Sequence, residues 1–107
     1  MNAIPQLSVK ELKRRIDAGE KPYILDVREP WEYVIAHIGG RLIPQSELPQ
    51  RLAEIDRDQE IIVQCHSGVR SQRAAELLKR SGFPRVTNLA GGINAWSEEI
   101  DPKVPKY

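Results

Sequence analysis

A chain of 107 residues, 40% hydrophobic and 29% charged, has enough apolar content for one core, and one domain spanning residues 1–107 is expected. Its net charge of +1 argues against nucleic acid or an acidic membrane as partner. A single cysteine excludes an internal disulfide, and with only two histidines beside it a closed zinc site is excluded as well.

The opening Met1-Asn2-Ala3-Ile4-Pro5 has no basic region followed by an apolar run, so no signal peptide is expected. No apolar run approaches the roughly 20 residues of a membrane span. With the lone cysteine, these features point to a cytoplasmic protein. Ser8-Val9-Lys10-Glu11 reads as a capping box, Ser8 as N-cap and Glu11 reaching back. The helix behind it places Leu12 and Ile16 on its inner face and stops at Gly19. Tyr23 to Val27 is a short apolar run, read as a buried parallel strand with Asp26 and Arg28 at its C-terminal end. Pro30 suits the first turn of a short helix through Trp31, Tyr33 and Val34, and Gly39-Gly40 breaks the pattern.

Leu42-Ile43 is a candidate edge strand. Ser46 is read as the cap of a further helix, with Pro49 in its first turn and Leu48, Leu52 and Ile55 on its apolar side. Ile61 to Gln64 is the central strand. Ser71 to Arg80 is a helix with Ala74, Ala75, Leu77 and Leu78 inward, ended by Gly82. Val86 to Leu89 forms a last strand, Gly91-Gly92 opens a short helix carrying Ile93 and Trp96, and the Pro-rich segment Asp101 to Tyr107 is expected to be extended. Alternating strands and helices predict an α/β fold with a mainly parallel sheet, in which ligands sit beyond the C-terminal strand ends. Asp26, Arg28 and Cys65 all fall at that edge.

Cys65 lies where Ile61-Ile62-Val63-Gln64 gives way to His66-Ser67-Gly68-Val69-Arg70-Ser71 and a helix start. A strand, a tight glycine loop and a helix N-terminus aim backbone N–H groups and the positive end of the helix dipole at one point. An anion is favoured there, so the arrangement suits a nucleophilic thiolate. Gly68 allows the tight turn. Arg70 either holds an anionic substrate or braces the loop against a carboxylate. His66 and Ser67 are candidates for tuning substrate choice. Asp26 and Arg28 read as structural partners of the loop, His37 as a structural histidine, Trp31 and Trp96 as packing residues.

Three separated blocks carry a family resemblance. They are Leu25-Asp26-Val27-Arg28-Glu29-Pro30-Trp31-Glu32-Tyr33 with Ala36-His37-Ile38 and Ile43-Pro44; Cys65-His66-Ser67-Gly68-Val69-Arg70-Ser71; and Asn88-Leu89-Ala90-Gly91-Gly92-Ile93-Asn94-Ala95-Trp96. In this order and spacing the chain resembles the rhodanese family of sulfurtransferases. Ala36 stands where the family usually has glycine, and a small backbone adjustment is expected there. Glu98 to Tyr107, ending Asp101-Pro102-Lys103-Val104-Pro105-Lys106-Tyr107, also looks like the tail of rhodanese domains fused to adenylylating enzymes that activate ubiquitin-like sulfur carriers.

The resemblance implies a rhodanese-like α/β fold, a five-stranded mainly parallel sheet flanked by helices on both faces. It implies a catalytic Cys65 that carries a persulfide, a substrate-binding loop of His66, Ser67, Gly68, Val69, Arg70 and Ser71, and supporting roles for Asp26 and Arg28. No metal or cofactor is implied. The implied partners are a small-molecule sulfur donor such as thiosulfate and a thiol or sulfur-carrier protein acceptor; a thiosulfate:cyanide sulfurtransferase is the expected enzyme type. A non-catalytic interaction module of the same fold is the alternative, though such modules usually lack the cysteine. A cysteine phosphatase is the poorer third reading: its loop has one residue more between Cys and Arg, and at that position this chain has Ser71.

Overall fold

The computed structural model describes residues 3–107; Met1 and Asn2, part of the stretch read for a signal peptide, lie outside the described residues. In chain order the elements are β1 Gln6–Leu7, α1 Val9–Asp17, β2 Tyr23–Asp26, α2 Pro30–Ile35, β3 Arg41–Leu42, β4 Ile61–Gln64, α3 Val69–Arg80, β5 Val86–Leu89 and α4 Gly92–Glu99. The five strands form one parallel sheet in the order β1-β5-β4-β2-β3. Among the described residues, no helix is long and apolar enough to cross a membrane.

β4 is central and fully buried, which explains its unbroken apolar run. Side chains alternate between the two faces of a strand. Ile61, Val63 and Cys65 therefore join Leu25, Val27, Ala74, Ala75, Leu78 and Phe83 in one core cluster, while Ile62 joins Val9, Leu12, Ile24 and Leu89 in a second on the other face. Helices cover both faces as expected. Most boundaries fall where composition placed them: β5 matches residue for residue, and β3 lies one residue earlier than expected.

Four local expectations are corrected. Residues 46–55 form no α-helix: two 3-10 turns, Leu48–Gln50 and Leu52–Glu54, carry Leu48 into the core, because Pro49 and the short spacing leave no room for a full helical ladder. Ile16, expected on the inner face of α1, is 38% exposed. Only half of the α1 capping box forms: Ser8 Oγ accepts from the Glu11 backbone N–H at 3.1 Å, whereas the Glu11 carboxylate turns to Arg14. The helix after the Cys65 loop starts at Val69, two residues before Ser71. One strand, β1, has no counterpart in the sequence reading: two residues beside Pro5 show no periodicity, and pairing with β5 creates it.

Candidate active site

β4 delivers Cys65 to the C-terminal edge of the sheet, and α3 departs from the same point. Gly68 is the N-cap of α3 at φ 102°, a left-handed conformation that L side chains rarely adopt. This turn brings the Gly68 N–H to 3.1 Å from Cys65 Sγ. Cys65 is 1% exposed, so the sulfur lies inside the loop it opens. The 12-residue α3 points its positive end at this sulfur.

Behind the sulfur runs a polar chain. Asn88 donates through Nδ2 to the Gly68 carbonyl at 3.2 Å and to Gln6 Oε1 at 2.9 Å, which turns its Oδ1 toward Ser71 at 2.5 Å. An amide oxygen only accepts, so the Ser71 hydroxyl donates to it, and Ser71 Oγ accepts from the Cys65 thiol at 3.3 Å. Gly92 closes the opposite wall at φ 57°: a Cβ there would overlap the Cys65 carbonyl and lie 2.7 Å from the His66 carbonyl. Those carbonyls accept from the N–H groups of Ile93 at 2.9 Å and Asn94 at 3.0 Å, so α4 holds the loop from its own N-terminus.

Arg70 leaves α3 toward α2. Both of its terminal nitrogens meet Glu32, at 2.7 and 2.8 Å, in a bidentate pair. Glu32 is buried and its Oε1 also accepts the Glu29 N–H at 3.0 Å. The Arg70 guanidinium pulls the Glu32 carboxyl down to about 2 against the opposing effect of burial, with help from the Glu29 N–H and the Tyr107 hydroxyl. The pairing raises Arg70 in turn. Of the two roles open for Arg70, the geometry displays the brace, and the carboxylate is Glu32.

Asp26 and Arg28 are both fully buried and paired, with Arg28 Nη2 2.7 Å from Asp26 Oδ2 and 2.7 Å from the Ala36 carbonyl. Arg28 bonds no residue between 66 and 71. Asp26 is the register partner of Gln64, so it faces the side of the sheet opposite Cys65, where β2 and β4 side chains alternate together. The link from Arg28 to the loop is indirect. Arg28 Nη1 donates to Tyr107 Oη at 2.8 Å, and Tyr107 donates to Glu32 Oε2 at 2.8 Å. Ala36, extended at φ −157°, sits comfortably where the family has glycine.

Ser67 and Val69 are exposed on the loop, and His66 is half-buried beneath the Tyr107 ring. His37 stacks on Tyr33 with centroids 4.5 Å apart. Trp31 is 60% exposed, so it packs the rim and not the core. Glu32, Asn88 and Tyr107 escaped the sequence reading. The first two lie inside the quoted family blocks, where their polarity amid apolar neighbours was the available signal. Tyr107 lay in the quoted tail, but nothing there placed it at the active-site edge. Among the described residues, no three His, Cys, Asp or Glu side chains are grouped as metal ligands.

A thiol at the C-terminal edge of a doubly covered parallel sheet, in a tight loop that opens a helix, defines a cysteine-loop α/β domain. The sequence profile of the Rhodanese-like domain matches residues 8–99, and the chain belongs to that family. It is 41% identical over 101 residues to the putative sulfur carrier protein YrkF of Bacillus subtilis, covering 94% of this chain and 55% of that protein. It is 36% identical over 104 residues to the probable adenylyltransferase/sulfurtransferase MoeZ of Mycobacterium tuberculosis, covering 94% of this chain and 26% of that protein. The chain thus spans about half of one of these relatives and about a quarter of the other. A crystal structure of a rhodanese-related protein from Thermoplasma volcanium superposes with a TM-score of 0.81 at 34% identity, covering 90% of this chain and 93% of that one.

Proposed function

We propose that the protein is a sulfurtransferase that moves a sulfane sulfur through a Cys65 persulfide. The carrying observation is the position of Cys65 Sγ, held 3.1 Å from the Gly68 N–H at the positive end of α3. A fixed N–H and a helix dipole lower the cost of negative charge on sulfur without rearrangement during the reaction. Family membership and the names of the relatives YrkF and MoeZ support sulfur chemistry.

In this reading the Cys65 thiolate attacks the outer sulfur of thiosulfate, a new S–S bond forms, and the S–S bond of thiosulfate breaks to release sulfite. Loss of the thiol proton removes the donor that Ser71 accepts, and the Ser71 hydroxyl then turns from Asn88 to donate to the anionic sulfur. The terminal persulfide sulfur passes to cyanide as thiocyanate, or to a thiol or sulfur-carrier protein, and the thiolate returns. With one cysteine in the chain, discharge requires an external acceptor. A cytoplasmic setting fits, because a reducing compartment keeps the lone thiol available.

Thiocyanate formation from thiosulfate and cyanide tests the assignment. The parent protein turns over and Cys65→Ser does not. Equal rates in both would remove Cys65 from the reaction.

A further inference from the structure

The segment after α4 makes a strap. The Asp101 carbonyl accepts the Val104 N–H at 3.0 Å, Ser97 Oγ donates to the Val104 carbonyl at 2.7 Å, and Lys106 pairs with Glu98 at 3.0 Å. These ties bring Tyr107 across the active-site edge, where no sequence signal places it. Its hydroxyl accepts from Arg28 and donates to Glu32 Oε2, both at 2.8 Å. Its ring stacks on His66, the residue after Cys65, at 4.4 Å between centroids and 22° between planes, and meets Trp31 edge-on at 6.1 Å.

Arg28 Nη1 also reaches the Glu32 backbone carbonyl at 3.4 Å, but among the described residues only Tyr107 links Arg28 to the Glu32 carboxylate. The Glu29 N–H holds Glu32 Oε1, and Oε2 has two partners, Arg70 and Tyr107, so the phenol completes the orientation in which the carboxylate receives Arg70. Burial pushes the Tyr107 phenol up, so the O–H that donates to Glu32 is retained at neutral pH.

We propose that Tyr107 is a positioning residue for the Cys65 loop: its hydroxyl orients Glu32 for Arg70 at one end of the loop, and its ring holds His66 at the other. The consequence for sulfur transfer rests on the function proposed above; the effect on the loop does not. Two arms cross the loop, one polar and one aromatic, and Tyr107→Phe removes only the first while Tyr107→Leu removes both.

The test is the rate at which iodoacetamide alkylates Cys65 in the full chain, measured well below each variant's melting temperature. Loosening the loop exposes the buried sulfur. Tyr107→Phe is expected to react about threefold faster than the parent, and Tyr107→Leu about tenfold faster, within the range of one charge-assisted hydrogen bond plus a stacking contact. Tyr107→Phe keeps the strap and the packing of the ring, so it folds even if Tyr107→Leu does not. A Phe variant that alkylates at the parent rate overturns the proposal.

Turnover separates positioning from general stability. With thiosulfate and cyanide, Tyr107→Phe is expected to lose several-fold in kcat with KM for thiosulfate within about twofold. An equal loss in all variants that tracks melting temperature would assign Tyr107 a merely structural role. A parent that forms no thiocyanate sinks the sulfurtransferase reading, and the alkylation rates still decide the role of Tyr107.

Discussion

Glu32 and Arg70 face each other across the active-site edge through two parallel hydrogen bonds of 2.7 and 2.8 Å, joining α2 to the first turn of α3. The pair spans 38 residues of sequence, so the loop around Cys65 is held by a distant element and not by its own turn alone.

That pairing predicts a specific acid limb. Glu32 lies at about 2 in the folded protein, against 4.5 for a free carboxyl. A depressed folded value contributes stability above the unfolded pKa, and that stability is lost as pH falls from about 4.5 toward 2. The shift corresponds to at most about 3.5 kcal/mol. Solvent screening at Arg70, whose side chain is 36% exposed, lowers the expectation to about 2 kcal/mol. Urea unfolding of the parent and of Glu32→Gln from pH 7 to pH 2 should show a gap that closes across that window. A gap independent of pH would contradict the assignment of the shift to this carboxylate.

Gly92 has no tolerable substitute. A Cβ would strike the backbone carbonyls of Cys65 and His66, and φ is 57°. Backbone atoms cannot move aside as a flexible side-chain tip does, so Gly92→Ala should cost more than about 3 kcal/mol. Calorimetry should place its melting temperature more than about 10 °C below the parent. A difference of a degree or two would mean that the α4 N-terminus sits farther from the loop than described.

Asn88 is the donor that pins Gly68. Asn88→Asp replaces two N–H donors with a carboxylate facing the Gly68 carbonyl and Gln6 Oε1. A buried carboxylate at position 88 would face two acceptors with no proton to share, so this change should cost about 2 kcal/mol, more than Asn88→Ala on the loop side because the charge repels both oxygens. The urea midpoint should fall in that order. A midpoint unchanged by Asp would mean that the Asn88 amide does not hold the Gly68 carbonyl.

The parts of the molecule that depend on near neighbours were readable from sequence. Buried apolar runs marked β2 and β4, the alternation of strands with helices placed β5, and glycine at the loop and at residues 91–92 marked turns that only a residue free of a Cβ can make. The Cys65 loop was legible for the same reason. What escaped depends on partners far along the chain. β1 is two residues long and exists because β5 offers a free edge. The helix expected over 46–55 obeyed an apolar spacing that two 3-10 turns also satisfy. Glu32 stood in a quoted block with no role assigned, because its partner Arg70 lies 38 residues away. Asp26 and Arg28 were read as neighbours of the loop because they share its edge, but strand alternation turns Asp26 to the opposite face. Tyr107, at the far end of a Pro-rich segment, could be found only by following the strap from α4.

The most direct test is the intact mass of the reduced protein after incubation with thiosulfate, beside a Cys65→Ser variant. The account predicts a gain of one sulfur atom in the parent, removed by cyanide and absent from the variant. A parent mass that stays unchanged, or a gain that survives in Cys65→Ser, would contradict a Cys65 persulfide formed from thiosulfate.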